Sequence, residues 1–174
     1  MSPHLERVRT KAEALTRDFS PADWRRARSG KWSASSIIEH LILTYTGTTK
    51  GTLKTLQASE PFCRETTWRD RMAQFYVVGL GIFPRGRKAP KGAEPSGEPL
   101  DDPLRRFNDA LVAMNATLND AERRFGKASR ILEHPILGPM TAEQWRRFHR
   151  VHAFHHLAQI AALRDKSKSE SAAA

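Results

Sequence analysis

The sequence predicts an all-α protein: a four-helix bundle with a long crossover between the second and third main helices. Three observations predict it. Apolar residues recur at three-four spacing in several stretches, each opened by a helix-start signal. No stretch carries a convincing strand pattern. A segment rich in Pro, Gly and charge, residues 84–100, divides the helical stretches into two groups.

The elements follow in order. Ser2-Pro3 offers a cap and a first-turn proline, and Leu5, Val8, Ala12, Leu15 and Phe19 make one apolar stripe. Ser20-Pro21-Ala22-Asp23 opens a short helix carrying Trp24, broken by Ser29-Gly30. Ser33 or Ser36 caps the second long helix, and Ser36 with Glu39 fits a capping box; Ile37, His40, Leu41, Thr44 and Gly47 lie on one side of it. A further helical stretch is expected over about 67–83. Residues 84–100 read as a mobile connection with little that can enter a core. Asp101-Asp102-Pro103 starts the next helix, whose stripe Leu104, Phe107, Leu111, Met114, Leu118, Ala121 and Phe125 is a bundle seam. His134-Pro135-Ile136-Leu137-Gly138-Pro139 reads as a turn-rich link. Thr141 with Gln144 then caps a last helix running to about Arg164. One domain is expected over 1–164, with a disordered Ser-, Lys- and Ala-rich tail over 165–174.

Composition narrows the functional classes. The 174 residues are 39% apolar and 28% charged, with no apolar run of transmembrane length, so no membrane is expected. The first residues lack the apolar core of a secretory signal, which makes the cytoplasm the expected compartment. Cys63 is the single cysteine, so any metal must be held by His, Asp or Glu. The net charge of +10 reads first as a solvated, arginine-rich surface, and it would also suit a small anionic substrate. Its basic pairs are scattered, and no helix-turn-helix signal, zinc finger or aromatic–basic interleaving points to nucleic acid. The competing class is a non-catalytic stress-response or binding module whose basic surface engages an acidic partner or nucleic acid.

The last helix carries the chemistry. Trp145, Phe148, His152, His156, Gln159 and Leu163 share one face, and the aromatic and aliphatic members mark it as inward. Buried imidazoles without partners cost a few kcal/mol, and a bound ion is one way to satisfy them. His152 and His156, four residues apart, can hold one ion together. A third ligand should come from the middle of another inward face. His40 meets that description, and taken alone it also reads as a core histidine bonded to a backbone or hydroxyl group. Gln159, the candidate catalytic residue, either orients a water or a ligand or makes a helix–helix hydrogen bond. His149 and His155 flank the stripe as supporting or interface residues, Glu39 and Glu143 read as solvated surface, and Cys63 as incidental. The opposite face, with Val151, Phe154, Leu157, Ala158 and Ala161, calls for a homodimer or for cover by the short helices.

Trp32-Ser33 followed by Glu39-His40-Leu41, then His152-x-x-x-His156-x-x-Gln159-Ile160, resembles the DinB-like superfamily, which includes YfiT-type metal hydrolases and thiol-dependent transferases. The resemblance covers roughly residues 3–164, and the 134–139 link with His155-His156 resembles a poorly characterised branch. It implies a four-helix bundle in which His40, His152 and His156 hold a divalent ion, and dimers in many members. Zinc, nickel, iron and manganese all accept imidazole, with zinc and nickel favoured. The implied activity is a metal-dependent hydrolase or a transferase using a low-molecular-weight thiol, with open coordination positions for water or substrate.

Overall fold

Side-chain caps set most helix starts in the computed structural model, which describes residues 1–83, 89–98 and 100–172. Helix α1 (Pro3–Thr16) begins at Ser2, whose Oγ accepts from the Leu5 N–H. Leu5, Val8 and Ala12 are fully buried along it. Ser20 and Asp23 form a reciprocal capping box on α2 (Pro21–Arg25). Ser33 caps α3 (Ala34–Leu56) by accepting from Ser36 N–H at 3.1 Å. The alternative Ser36–Glu39 box does not form, because Ser36 lies inside the first turn; Glu39 Oε1 instead accepts from Ser96 N–H.

The stretch expected to be helical over 67–83 is helical for less of its length. Thr67 and Asp70 box the start of α4 (Trp68–Gln74), which continues as a π-helical turn over Phe75–Gly79. Gly79 and Gly81, the latter at φ +72°, then lead the chain out of the helix. Helix α5 (Pro103–Phe125) starts at Asp102 with Pro103 in its first turn and stops at Gly126, φ +90°.

A two-stranded antiparallel hairpin follows, β1 (Arg130–His134) with β2 (Gly138–Thr141), in place of the expected irregular link. His134 Nδ1 accepts from the backbone N–H groups of Ile136 and Leu137 and so closes the turn itself. Gly138 (φ +68°) is required twice over, since a Cβ there would stand 2.4 Å from the Asp70 carboxyl carbon. Thr141 and Gln144 then exchange hydrogen bonds at the start of α6 (Ala142–Ala172), the predicted box. The backbone of α6 continues well past Arg164, through most of the segment read as a disordered tail; residues 173–174 lie outside the described residues.

Packing confirms the predominantly helical class. Helix α3 lies along α5 and α1 along α6, with α3–α6, α1–α5 and α5–α6 contacts joining the two pairs. Tyr45, Phe107, Leu111, Met114, Leu118, Leu157 and Ile160 fill the space between them. Arg146 is buried in this packing and bonds Asn119 and Glu122 of α5, which compensates its charge. Val151 and Leu157, on the second apolar face of α6, are buried, and Lys11 of α1 lies over the Phe154 ring. Cover for that face therefore comes at least partly from within the chain.

Part of the 84–100 connection, residues 84–88 and 99, lies outside the described residues. The rest is tied to α3. A 3₁₀ turn (Lys91–Ala93) buries Ala93, and the N–H of Leu100 donates to Ser35 Oγ. A small side chain suffices to enter the core there, which is why a polar composition hides the contact.

Candidate metal centre

Helices α3 and α6 bring His40, His152 and His156 together. One ring nitrogen of each lies within 4.8 Å of those of the other two. His152 Nε2 stands 3.1 Å from His40 Nε2 and 3.0 Å from His156 Nε2. All three residues are buried. The i, i+4 spacing on α6 sets two rings edge to face, with centroids 4.7 Å apart, and the inward position of residue 40 on α3 supplies the third.

The opposite ring nitrogens decide which atoms face the centre. His40 Nδ1 lies 2.6 Å from the carbonyl oxygen of Ala93, which can only accept, so Nδ1 carries the proton. His156 Nδ1 donates to Gln159 Oε1 at 3.0 Å. Both residues thus present the Nε2 lone pair to His152. The His152 ring is held by stacking, against Phe148 on one side (5.6 Å, 12°) and Phe83 (5.1 Å, 26°). Its Nδ1 is buried with no hydrogen-bond partner among the described residues.

Protonation does not relieve this crowding. Burial, reinforced by the neighbouring imidazoles, pushes His152 well below the ordinary histidine range. Burial also pushes His156 down to about 4, and it lowers His40 against the opposing effect of the Ala93 carbonyl. Three neutral imidazoles therefore converge. That donor set fits a divalent ion: nitrogens about 2.05 Å from a tetrahedral ion lie roughly 3.3 Å apart, near the observed 3.0 and 3.1 Å. The Nδ1–H bonds to a carbonyl and an amide oxygen are the kind of support that orients metal-bound histidines.

A cavity of about 1760 Å³ opens beside the cluster. Its wall is largely apolar, with Trp32, Phe83, Ile136, Trp145 and Phe148, while Arg28 and Lys31 bring positive charge to it and Glu94 and Glu133 negative charge. Trp32, adjacent to the α3 cap, lies 5.0 Å from the His40 ring.

The remaining candidates have other employment. Among the described residues Gln159 makes no helix–helix bond; it holds His156 and also contacts His155 Nε2 at 3.1 Å. His149 is a core residue bonded through Nε2 to Thr48 Oγ1, and burial pushes it down to about 3. His155 stacks near Phe83. Glu143 pairs with His4, Arg146 and Arg147. Cys63 lies in a separate groove beside Arg64 and Arg130. Sequence reasoning missed Ala93 and Phe83: a backbone carbonyl has no side-chain signature, and Phe83 adjoins a segment without periodicity.

A family described as "Protein of unknown function (DUF1569)" matches residues 3–162, nearly the whole chain. The chain belongs to this family. Neither curated proteins nor solved structures give a match. The DUF1569 match takes in all three histidines, the hairpin and the segment that carries Ala93. Among the described residues, no helix is long and apolar enough to cross a membrane.

Proposed function

We propose that this protein is a divalent-metal-dependent enzyme of the DinB-like type, a four-helix bundle with a long crossover. In it His40, His152 and His156 hold the ion, and the adjoining cavity admits the substrate. One observation carries the proposal: three buried Nε2 atoms converge while the Nδ1 atoms of His40 and His156 are committed as donors. A divalent ion, zinc or nickel, would supply Lewis acidity to a water or a low-molecular-weight thiol.

The chain's own residues do the rest. Ala93 and Gln159 fix two ligand rings, and Phe83 and Phe148 hold the third. Gln159 is thus a positioning residue, its oxygen already engaged. The apolar wall limits water around the reacting groups and strengthens electrostatic interactions there. The net charge of +10 suits an anionic substrate, while in the cavity wall itself Arg28 and Lys31 are matched by Glu94 and Glu133. The reaction class is hydrolysis or transfer to a thiol.

Metal analysis after loading and desalting tests the reading. One ion per chain is expected, and His152→Ala should lose it while keeping its helical circular dichroism. A chain that retains no ion, or a His152→Ala variant that binds as the native chain does, contradicts it. A screen of hydrolysable esters and of thiol acceptors on the loaded protein then separates the two reactions.

A further inference from the structure

Two large rings flank the histidine centre and keep part of their surface open to the cavity. Trp32, just before the Ser33 cap of α3, lies 5.0 Å from the His40 ring and 6.3 Å from the His156 ring, at 28° to the latter. Phe83, from the stretch after the π-helical turn, lies 5.1 Å from the His152 ring at 26° and 5.0 Å from the His155 ring. Both rings are half-buried and both line the cavity. Trp145 and Phe148, also in its wall, are buried in the core, and the Trp145 indole N–H donates to the Leu132 carbonyl at 3.1 Å. The Trp32 indole N–H has no acceptor among the described residues.

Resting on the reading of this cavity as the substrate site, we propose that the substrate carries a bulky aromatic group, held against Trp32 and Phe83. Volume favours it. Pockets for drug-sized ligands measure about 300–1,000 Å³, and at about 1760 Å³ this one has room for far more than a small polar ion. The wall favours it too. Ile37, Val77, Leu137 and Leu163 add aliphatic surface to the aromatic side chains, and removing such surface from water stabilises an apolar guest. The open ring faces then select an aromatic guest over an aliphatic one. Offset-stacked and edge-to-face pairs contribute beyond what area burial alone supplies. Trp32 and Phe83 can each make such a pair while staying against the histidines, which makes them specificity-determining residues.

Charge in the described wall is balanced, with Arg28 and Lys31 against Glu94 and Glu133. Two of the four are already engaged: Arg28 donates to the Ala162 carbonyl, and Glu133 pairs with Arg64. Arg85, Arg87 and Lys88 bring positive charge to the sequence between the lining residues Phe83 and Ala89, and they lie outside the described residues. A preference for the ring itself is therefore read between uncharged guests, where those side chains favour neither.

Calorimetric titration of the full chain, metal-free and zinc-loaded, with naphthylmethanol and with its fully saturated counterpart tests the proposal. The saturated alcohol is the more apolar of the two, so burial alone would favour it. The aromatic alcohol should bind about tenfold tighter to both forms. Trp32→Leu and Phe83→Leu should each cut that ratio to about threefold with helical circular dichroism retained. Trp68→Leu, at an exposed ring on α4, should leave it unchanged. Nuclear magnetic resonance gives an independent readout: naphthylmethanol should shift the indole N–H signal that is missing in Trp32→Leu and leave the Trp68 signal in place. Equal or tighter binding of the saturated alcohol overturns the proposal. So does a ratio that survives both cavity substitutions, or a Trp32 signal that does not move. A chain that retains no ion yet prefers the ring contradicts the metal centre alone; a zinc-loaded chain indifferent to the ring contradicts the aromatic substrate alone.

Discussion

Gln159 reaches back along α6 to hold the His156 ring, and that one bond fixes which nitrogen faces the centre. Gln159→Leu keeps the volume and removes the acceptor. Metal affinity should fall about 10- to 100-fold, measured by competition with a chelating dye; an unchanged affinity would show that the bond does not position the ligand. Two histidines outside the cluster add to the pH response of His40, His152 and His156, which burial also lowers. Burial pushes His149 down to about 3 and His134 to about 4, from an ordinary value of 6.5. Between those values the unfolded chain takes up protons that the folded chain refuses, so stability is full above pH 6.5 and declines as pH falls toward 4. The slope is about 1.4 kcal/mol per pH unit for each histidine. The urea midpoint of the metal-free protein should therefore drop steeply across that window, and a flat profile would contradict the burial. At this scale the sequence was informative where periodicity applies: it placed His40, His152 and His156 on inward faces. It put His149 at the edge of the stripe, because helical angle alone does not reveal that Thr48 of α3 stands ready to bond it.

Capping chemistry made the helix starts legible. Ser2, Ser20 with Asp23, and Thr141 with Gln144 all act as their spacing predicts. The hairpin was not legible, because β1 is short, is interrupted by a register irregularity near Arg130–Leu132, and buries no clean alternation. Its signal was present in a three-residue loop followed by Gly138 in the left-handed region. The crossover hid its function for a different reason: its contacts to α3 run through backbone atoms. The Ala93 carbonyl holds His40 in the form that an ion requires, so ion binding and docking of this segment should support each other. Adding zinc to the metal-free protein should slow hydrogen exchange at Ser96 and Leu100, whose N–H groups bond Glu39 and Ser35. Exchange that zinc leaves untouched would uncouple the crossover from the site.

At the scale of the whole molecule, the three histidines come together where the two helix pairs meet. Residues distant in sequence, on α3 and α6, face each other across a core sealed by Tyr45, Phe107 and Leu157, beside a cavity walled by aromatic rings. The helical class and the order of its long helices could be read from apolar stripes. The orientation of α4, which buries Asp70 and Gln74 and leaves Trp68 and Met72 exposed, could not, because a sequence pattern gives a face without saying which side turns inward. The central claim is that three imidazoles share one ion. X-ray absorption at the zinc edge on the loaded protein tests it most directly. The account predicts one zinc per chain, with three imidazole nitrogens at about 2.0–2.1 Å and a lighter ligand completing the shell. A first shell lacking three imidazoles, or one that persists unchanged in His152→Ala, would contradict it.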